Sequence, residues 1–371
     1  MRLDLYIARR FLGSFLRVFG VFLGVLTLID LIEQIRRFSG SGAGIGMTEA
    51  LVLAALNVPE NLYRILPLLM ILAAISLFLG LAKSSELVVV RAAGRSGLRF
   101  LLSPVITALA IGVFAVAVFN PLVAATSKAY EQRTAARAQS SGTSGTAILS
   151  VSAEGLWMRQ GDASGQTVIR AAHISPEGTE LGNVSFHLFT PEGALTGRIE
   201  AQSARLEPGR WQLDGAKRWD LTGRTPEADA EQSAVPVTLP TDLTPARLVE
   251  GLGTPSAVAF WDLSRRAAAL ERAGFSARGY KLWYQMELAL PLLLAAMVLV
   301  AAGFTMRHAR FGKTGQMVLF ALMGGFFIFF LRNFAQVLGE NGQIPVLVAA
   351  WSPPVAAALL AVSLLLHLED G

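Results

Sequence analysis

The chain has 371 residues, 53% of them hydrophobic, with a mean hydropathy of +0.50 and a formal net charge of +5. The apolar residues gather in runs near the ~20 needed to span a bilayer, which excludes an ordinary soluble protein. The basic residues flank those runs in the positive-inside manner and do not form a nucleic-acid footprint. The absence of cysteine excludes disulfides, thiolate catalysis and cysteine-ligated metals.

Arg2, Arg9 and Arg10 precede the first apolar run, Phe11–Ile32. This run is too long for a signal-peptide core and lacks a small-x-small cleavage site, so it reads as a retained anchor. At its far end Asp30, Glu33 and Arg37 recur at helical spacing, with Arg36 beside them. A Gly/Ser-rich loop leads to Leu51–Leu56, read as a short interfacial helix broken at Val58-Pro59. The second span, Leu62–Ala82, contains Pro67, which predicts a kink. The third, Leu101–Leu122, is expected to end at Asn120-Pro121.

Between the second and third spans lies the basic stretch Lys83–Arg99. Ser84 or Ser85 suits a helix start, Glu86 falls in a first turn where the helix dipole favours an acid, and Gly94 suits a stop. A helix of about nine residues does not hold itself together in water. Its surface, carrying Leu87, Val88, Val89 and Val90, is too apolar for a solvated loop. Two readings stay open: it lies in a partner's groove, or it packs under its own membrane helices.

From Ala124 the composition changes for about 155 residues, a normal domain size. Lys128–Arg137 reads as a charged helix, followed by short alternating segments at 146–151, 156–159, 167–174, 182–190, 196–206 and 210–222. Pro176-Glu-Gly, Pro191-Glu-Gly and Pro208-Gly punctuate them, which predicts an all-β sandwich or jelly roll. Ser256–Ala273 reads as an amphipathic helix, and Tyr280, Trp283 and Tyr284 as an interfacial aromatic collar. Three further spans follow at Met286–Phe304, Gln316–Leu338 and Val346–Leu366. The N-terminus and the loops at 83–99 and 305–315 are the basic set, so both termini are expected in the cytoplasm and the β-domain outside it. The predicted fold is therefore an α-helical polytopic membrane protein of six spans, three plus three, with an inserted all-β, jelly-roll-like domain. Its expected divisions are residues 1–123, 124–280 and 281–371.

Chemical motifs are scarce. Phe311-Gly-Lys-Thr314 lacks the upstream glycine of a phosphate-binding loop, since Arg307 stands there. The four histidines have no ligand-spaced partners, and no His-Glu-x-x-His or Gly-x-Ser-x-Gly occurs. No catalytic residue, metal or cofactor is expected, and the chain does not read as an enzyme. Asp30 and Arg332 are charges inside apolar runs, either reaching an interface or lining a polar route between helices. Arg36, Arg37, Arg64, Lys128 and Arg133 sit at predicted external helix ends. They form either a solvated rim or a ring for an anionic, phosphate-bearing ligand. In Gly324-Gly325-Phe-Phe-Ile-Phe-Phe330 the small residues suit close helix approach, while Phe326 and Phe330 face lipid or an acyl-chain cavity.

Together these stretches resemble the lipopolysaccharide-export permease family, LptF/LptG, and more closely its G-type subunit. Ser85–Gly94 resembles the family's cytoplasmic coupling helix, expected at about 84–94. Glu154-Gly-Leu-Trp157 with Arg159 and Gly161 resembles the entry into its periplasmic β-domain, and Leu243-Thr-Pro-x-x-Leu248 the exit. The resemblance implies a Gram-negative inner-membrane subunit of an ATP-driven ABC transporter serving outer-membrane biogenesis. It implies a heterodimer with an F-type subunit, an LptB-like cytoplasmic ATPase dimer, LptC- and LptA-like periplasmic bridge proteins, and lipopolysaccharide as cargo. Glu86, Leu87, Val90, Arg91 and Gly94 would then meet the ATPase. Arg36, Arg37, Arg64, Lys128, Arg133, Phe326 and Phe330 would meet the lipid. The chain departs from the family at Asp30 and Glu60, acids where better-known members carry lysine. Two other functions compete: a mechanical transmitter or scaffold that carries no lipid, and a stand-alone secondary transporter, which needs coupling charges near the midplane.

Overall fold

The computed structural model describes residues 2–39, 46–84, 86, 97–140, 148–152, 155–162, 165–175, 180–190, 193–221, 231–232, 237–241, 255–272, 276–306 and 314–370. The chain forms two compact units. One comprises Met1–Tyr130, Val258–Trp261 and Lys281–Gly371, the other Glu131–Ala257 and Asp262–Tyr280.

The first unit is helical because its apolar runs leave every backbone polar group to be satisfied within its own segment. Its helices are α1 (Arg2–Ser39), α2 (Met47–Arg64), α3 (Leu66–Lys83) and α4 (Gly97–Phe114), then a π-turn (Ala115–Phe119) running into α5 (Asn120–Ser140). After the strands come α6 (Phe260–Arg272), α7 (Arg278–Thr305), α8 (Thr314–Glu340) and α9 (Val346–Asp370). Six stretches among the described residues are long and apolar enough to cross a membrane: Leu3–Arg36, Leu66–Lys83, Arg99–Thr134, Arg278–Thr305, Gly315–Glu340 and Val346–His367. α1 packs on α2, α3 and α4, and α8 packs on α3 and α9. α3 and α7 are the most enclosed, with Leu69, Met70, Ile71 and Phe78 of one and Leu294, Ala296, Met297 and Val298 of the other fully buried.

Three proline readings change. Pro59 lies inside α2, so the segment at 51–56 is part of one 18-residue helix. The break falls instead at Ile65, whose φ of −93° and ψ of 5° depart from helical values. Pro67 then sits in the first turn of α3, where its missing N–H costs nothing, and starts a helix where a kink was expected. Asn120-Pro121 does not end the third span. The backbone widens into the π-turn just before it and continues as helix.

The second unit holds an antiparallel sheet: β1 (Ile148–Ser152), β2 (Gly155–Asp162), β3 (Gly165–Ile174), β4 (Glu180–Phe189), β5 (Leu195–Glu207), β6 (Arg210–Asp214), β7 (Lys217–Asp220), β8 (Glu231–Gln232) and β9 (Val237–Pro240). Strands pair in the order β1-β2-β3-β4-β5-β6-β9, and β7 branches from β5 to β8. The predicted segment 210–222 is two strands, because Gly215 takes a φ of +65° that a side chain rarely adopts. Leu156, Met158, Ile169, Ala171, Val184, Phe186, Ile199 and Ala201 alternate onto one buried face, with Phe186 edge-on to the fully buried Trp211. On β4 and β5 that alternation breaks: Leu181 and Val184, and Ala201 and Ala204, are buried at a spacing of three. Asn183, the left-handed residue of β4 at φ 50°, lies where it breaks.

Glycine permits close helix approach at several places, and two of them differ in severity. A Cβ on Gly112 of α4 would lie 2.5 Å from the backbone Cα of Pro291 in α7. One on Gly325 of α8 would lie 2.5 Å from Cδ1 and 3.1 Å from Cγ2 of Ile71, a buried side chain and not backbone. Gly112→Ala is therefore expected to destabilise the detergent-solubilised protein by about 1–3 kcal/mol, while Gly325→Ala, which displaces side-chain and not backbone atoms, is expected to lower the thermal midpoint by less. Equal shifts in a melting experiment would contradict this ranking.

Candidate functional site

The predicted coupling stretch is anchored at one described residue. α3 runs on to Lys83, and the Ser84 hydroxyl donates to the Gly80 carbonyl at 3.0 Å at its end; Glu86 is helical, and Ser85, the other serine expected at a helix start, lies outside the described residues. Arg10 Nη1 reaches both Glu86 carboxylate oxygens at 2.6 Å. Tyr6 adds a hydroxyl donor to Glu86 at 3.3 Å and accepts from Arg10 at 2.8 Å. The Arg10 guanidinium, then the Ser84 hydroxyl, hold the Glu86 carboxyl below the usual carboxylate range. Leu87, Val90, Arg91 and Gly94 lie outside the described residues.

Of the predicted lipid-binding cations, Arg36 pairs with Glu33 at 2.8 Å and Arg64 with Glu60 at 3.2 Å, each within its own helix. Glu60 also accepts from Ser127 at 2.8 Å, which ties α2 to α5. Arg37 lies in α1 with its side chain outside the described part, Lys128 is exposed on α5, and Arg133 is exposed and belongs to the second unit. Phe326 and Phe330 line an exposed apolar groove along α8 with Met323, Phe327, Leu331 and Phe334. Asp30 is buried and accepts from Asn57 at 3.0 Å and Asn61 at 3.1 Å, so two amides of α2 satisfy it.

Arg332 is half-buried, and its electrostatic partners are Glu287 and Tyr63. Sequence reasoning named neither. Glu287 is 2% exposed in α7 and accepts the Tyr63 hydroxyl of α2. Asn120, 3% exposed, places its Nδ2 3.5 Å from the Tyr63 oxygen, at the long limit of a hydrogen bond, and its Oδ1 accepts the Phe260 backbone N–H at 2.8 Å. One amide thus joins the buried acid to the first turn of α6. Pro121 offers no N–H to the Ala117 carbonyl four residues back, and the Trp261 indole donates to that carbonyl at 3.3 Å. Phe260 stacks on Tyr284 with the rings 5.2 Å apart and 4° from parallel. The readable signal for this seam was the single acid inside the apolar run 286–304.

Two substitutions separate the strong link from the weak one. Asn120→Ala orphans a buried backbone donor and is expected to cost about 1–3 kcal/mol. Trp261→Phe removes an exposed donor and is expected to cost under about 1 kcal/mol. Thermal unfolding in detergent measures both, and an equal loss would refute the ordering.

A family model described as lipopolysaccharide export system permease LptF/LptG matches residues 5–367. A relative from Escherichia coli strain K12, lipopolysaccharide export system permease protein LptG, is 26% identical over 98% of each chain. The protein of the same name from Haemophilus influenzae is 22% identical over 92% of this chain and 91% of its own. With a match that runs through the apolar helices and the sheet alike, the chain belongs to the LptF/LptG family of lipopolysaccharide export permeases.

Proposed function

We propose that the chain is the membrane subunit of an ATP-driven exporter, taking lipopolysaccharide from the inner membrane toward the outer one. The observation that carries this reading is the family match over residues 5–367, which leaves neither the helical part nor the sheet unaccounted for. In it, three spans precede and three follow a periplasmic jelly roll, and both termini are cytoplasmic. The exposed phenylalanines of α8 suit acyl chains, and Arg36, Arg37, Arg64, Lys128 and Arg133 suit phosphate groups. An F-type subunit completes the path, and an LptB-like ATPase supplies the energy at Glu86 and the residues after it. LptC- and LptA-like proteins receive the lipid. Because Glu86 is held by Arg10, docking in this reading exchanges one cationic partner for another.

A second reading has its own support. The Asn120–Phe260 bond fixes the first turn of α6 to the start of α5, as a mechanical transmitter without lipid cargo requires. Photo-crosslinkers at Arg36 and Phe326, in membranes supplied with ATP, separate the two. ATP-dependent adducts to labelled lipopolysaccharide are the expected result, and adducts to protein alone favour the transmitter. Independently, Glu86→Ala is expected to strip the ATPase from the purified complex; undiminished co-purification defeats the docking role.

A further inference from the structure

The face of the sheet opposite its core is organised as two adjacent rows across β2 to β7. Backbone register places Trp157, Arg170, Ser185, Glu200 and Lys217 side by side in one row. Arg159, Val168, His187, Arg198 and Trp219 form the other. The cations are exposed and braced on the indoles: Arg170 lies 5.5 Å from the Trp157 ring, and Arg198 and Lys217 lie 5.8 and 5.0 Å from the Trp219 ring. Such stacking holds a guanidinium flat while its N–H edge stays available to an anion. Glu200 is the acid of these rows and is bonded to Arg198, while Arg159, Arg170 and Lys217 have no ion pair among the described residues. Arg170 and Lys217 stand three strand spacings apart, about 14 Å, with Ser185 and the Arg198-paired Glu200 between them. Burial first, then the charge of Arg198, keeps His187 below its ordinary 6.5, so at neutral pH it offers a hydrogen-bonding ring without adding a further charge.

We propose that this outer face binds a phosphorylated saccharide, with Arg170 and Lys217 taking its phosphates and Ser185 and His187 its hydroxyls. The composition selects this occupant. A protein interface wants an apolar centre, and an acyl chain wants an apolar groove, but Val168 is the single aliphatic side chain in the two rows. Spaced cations with hydroxyl and imidazole between them complement a small polyanion that also carries hydroxyls. The site extends the transport reading to a second surface and rests on it only for the source of the sugar, the headgroup of the exported lipid.

The test uses the full chain in nanodiscs of zwitterionic lipid, with a bisphosphorylated disaccharide lacking acyl chains as probe, and tryptophan fluorescence with calorimetry as readout. Saturable, salt-sensitive binding is expected. The Arg170→Gln/Lys217→Gln pair should weaken it by roughly tenfold or more, as the loss of charge-assisted contacts requires. Arg205→Gln, an exposed arginine of β5 outside the two rows, should leave it unchanged, with melting curves confirming that each variant is folded. Equal weakening by Arg205→Gln, or none by the pair, overturns the site. Equal affinity for inorganic phosphate overturns the saccharide assignment, and binding only to vesicles of anionic lipid assigns the face to a membrane surface. If lipid crosslinking at Phe326 fails while the probe still binds here, the transport reading falls and this site stands.

Discussion

A carboxylate buried among apolar helices must find a donor, and in this protein Tyr63 supplies it to Glu287. An uncompensated charge in such surroundings costs several kcal/mol, so the positions of four elements are bound to this contact. α2 ends one residue after Tyr63, and the turn at Ile65 redirects the chain into α3. Glu287 is the tenth residue of α7, and Arg332 of α8 is an electrostatic partner of both Glu287 and Tyr63. The π-turn then brings Asn120 near the same hydroxyl, where its other atom holds the start of α6. Apolar packing fills the unit, but this contact specifies which faces of α2 and α7 meet.

Asp30 shows the same logic in milder form. Its two oxygens are each met by an amide one helical turn apart on α2, so α1 and α2 are pinned by polar bonds near the C-terminal end of α1. Arg36 and Arg64, beside these joints, keep their guanidiniums at the surface and pair within their own helices. Buried polar atoms fix register, and exposed ones remain for exchange.

The membrane spans were legible because run length alone identifies them, and the strands because Val184, Phe186 and Leu188 alternate against polar neighbours. The prolines were misread for one physical reason. Pro59, Pro67 and Pro121 each remove an N–H, but whether that breaks a helix depends on who needed the donor. Pro67 sits where no acceptor waits, and at Pro121 a distant indole takes over. That substitution comes from a residue 140 positions away and leaves no local trace. Glu287 was legible as an oddity yet not as a site, since its partners lie on α2 and α8. The candidate face of the sheet required register: Trp157 and Arg170 are thirteen residues apart in the chain and neighbours only once β2 and β3 pair.

The π-turn at Ala115–Phe119 has a further consequence for helical phase. A wide turn accommodates about one residue more than an α-turn, and each residue advances the direction of a side chain by about 100°. The helix before it and the helix after it therefore present faces that a continuous α-helix would not align. Gly112 can lie against Pro291 while Asn120, eight residues on, still points at Tyr63. The third span is thus two amphipathic surveys of its surroundings joined by a phase offset. In its sequence the offset is a single extra position that the wide turn absorbs, so the residues just after it keep faces that a regular α-helix of the same sequence would turn away by about 100°.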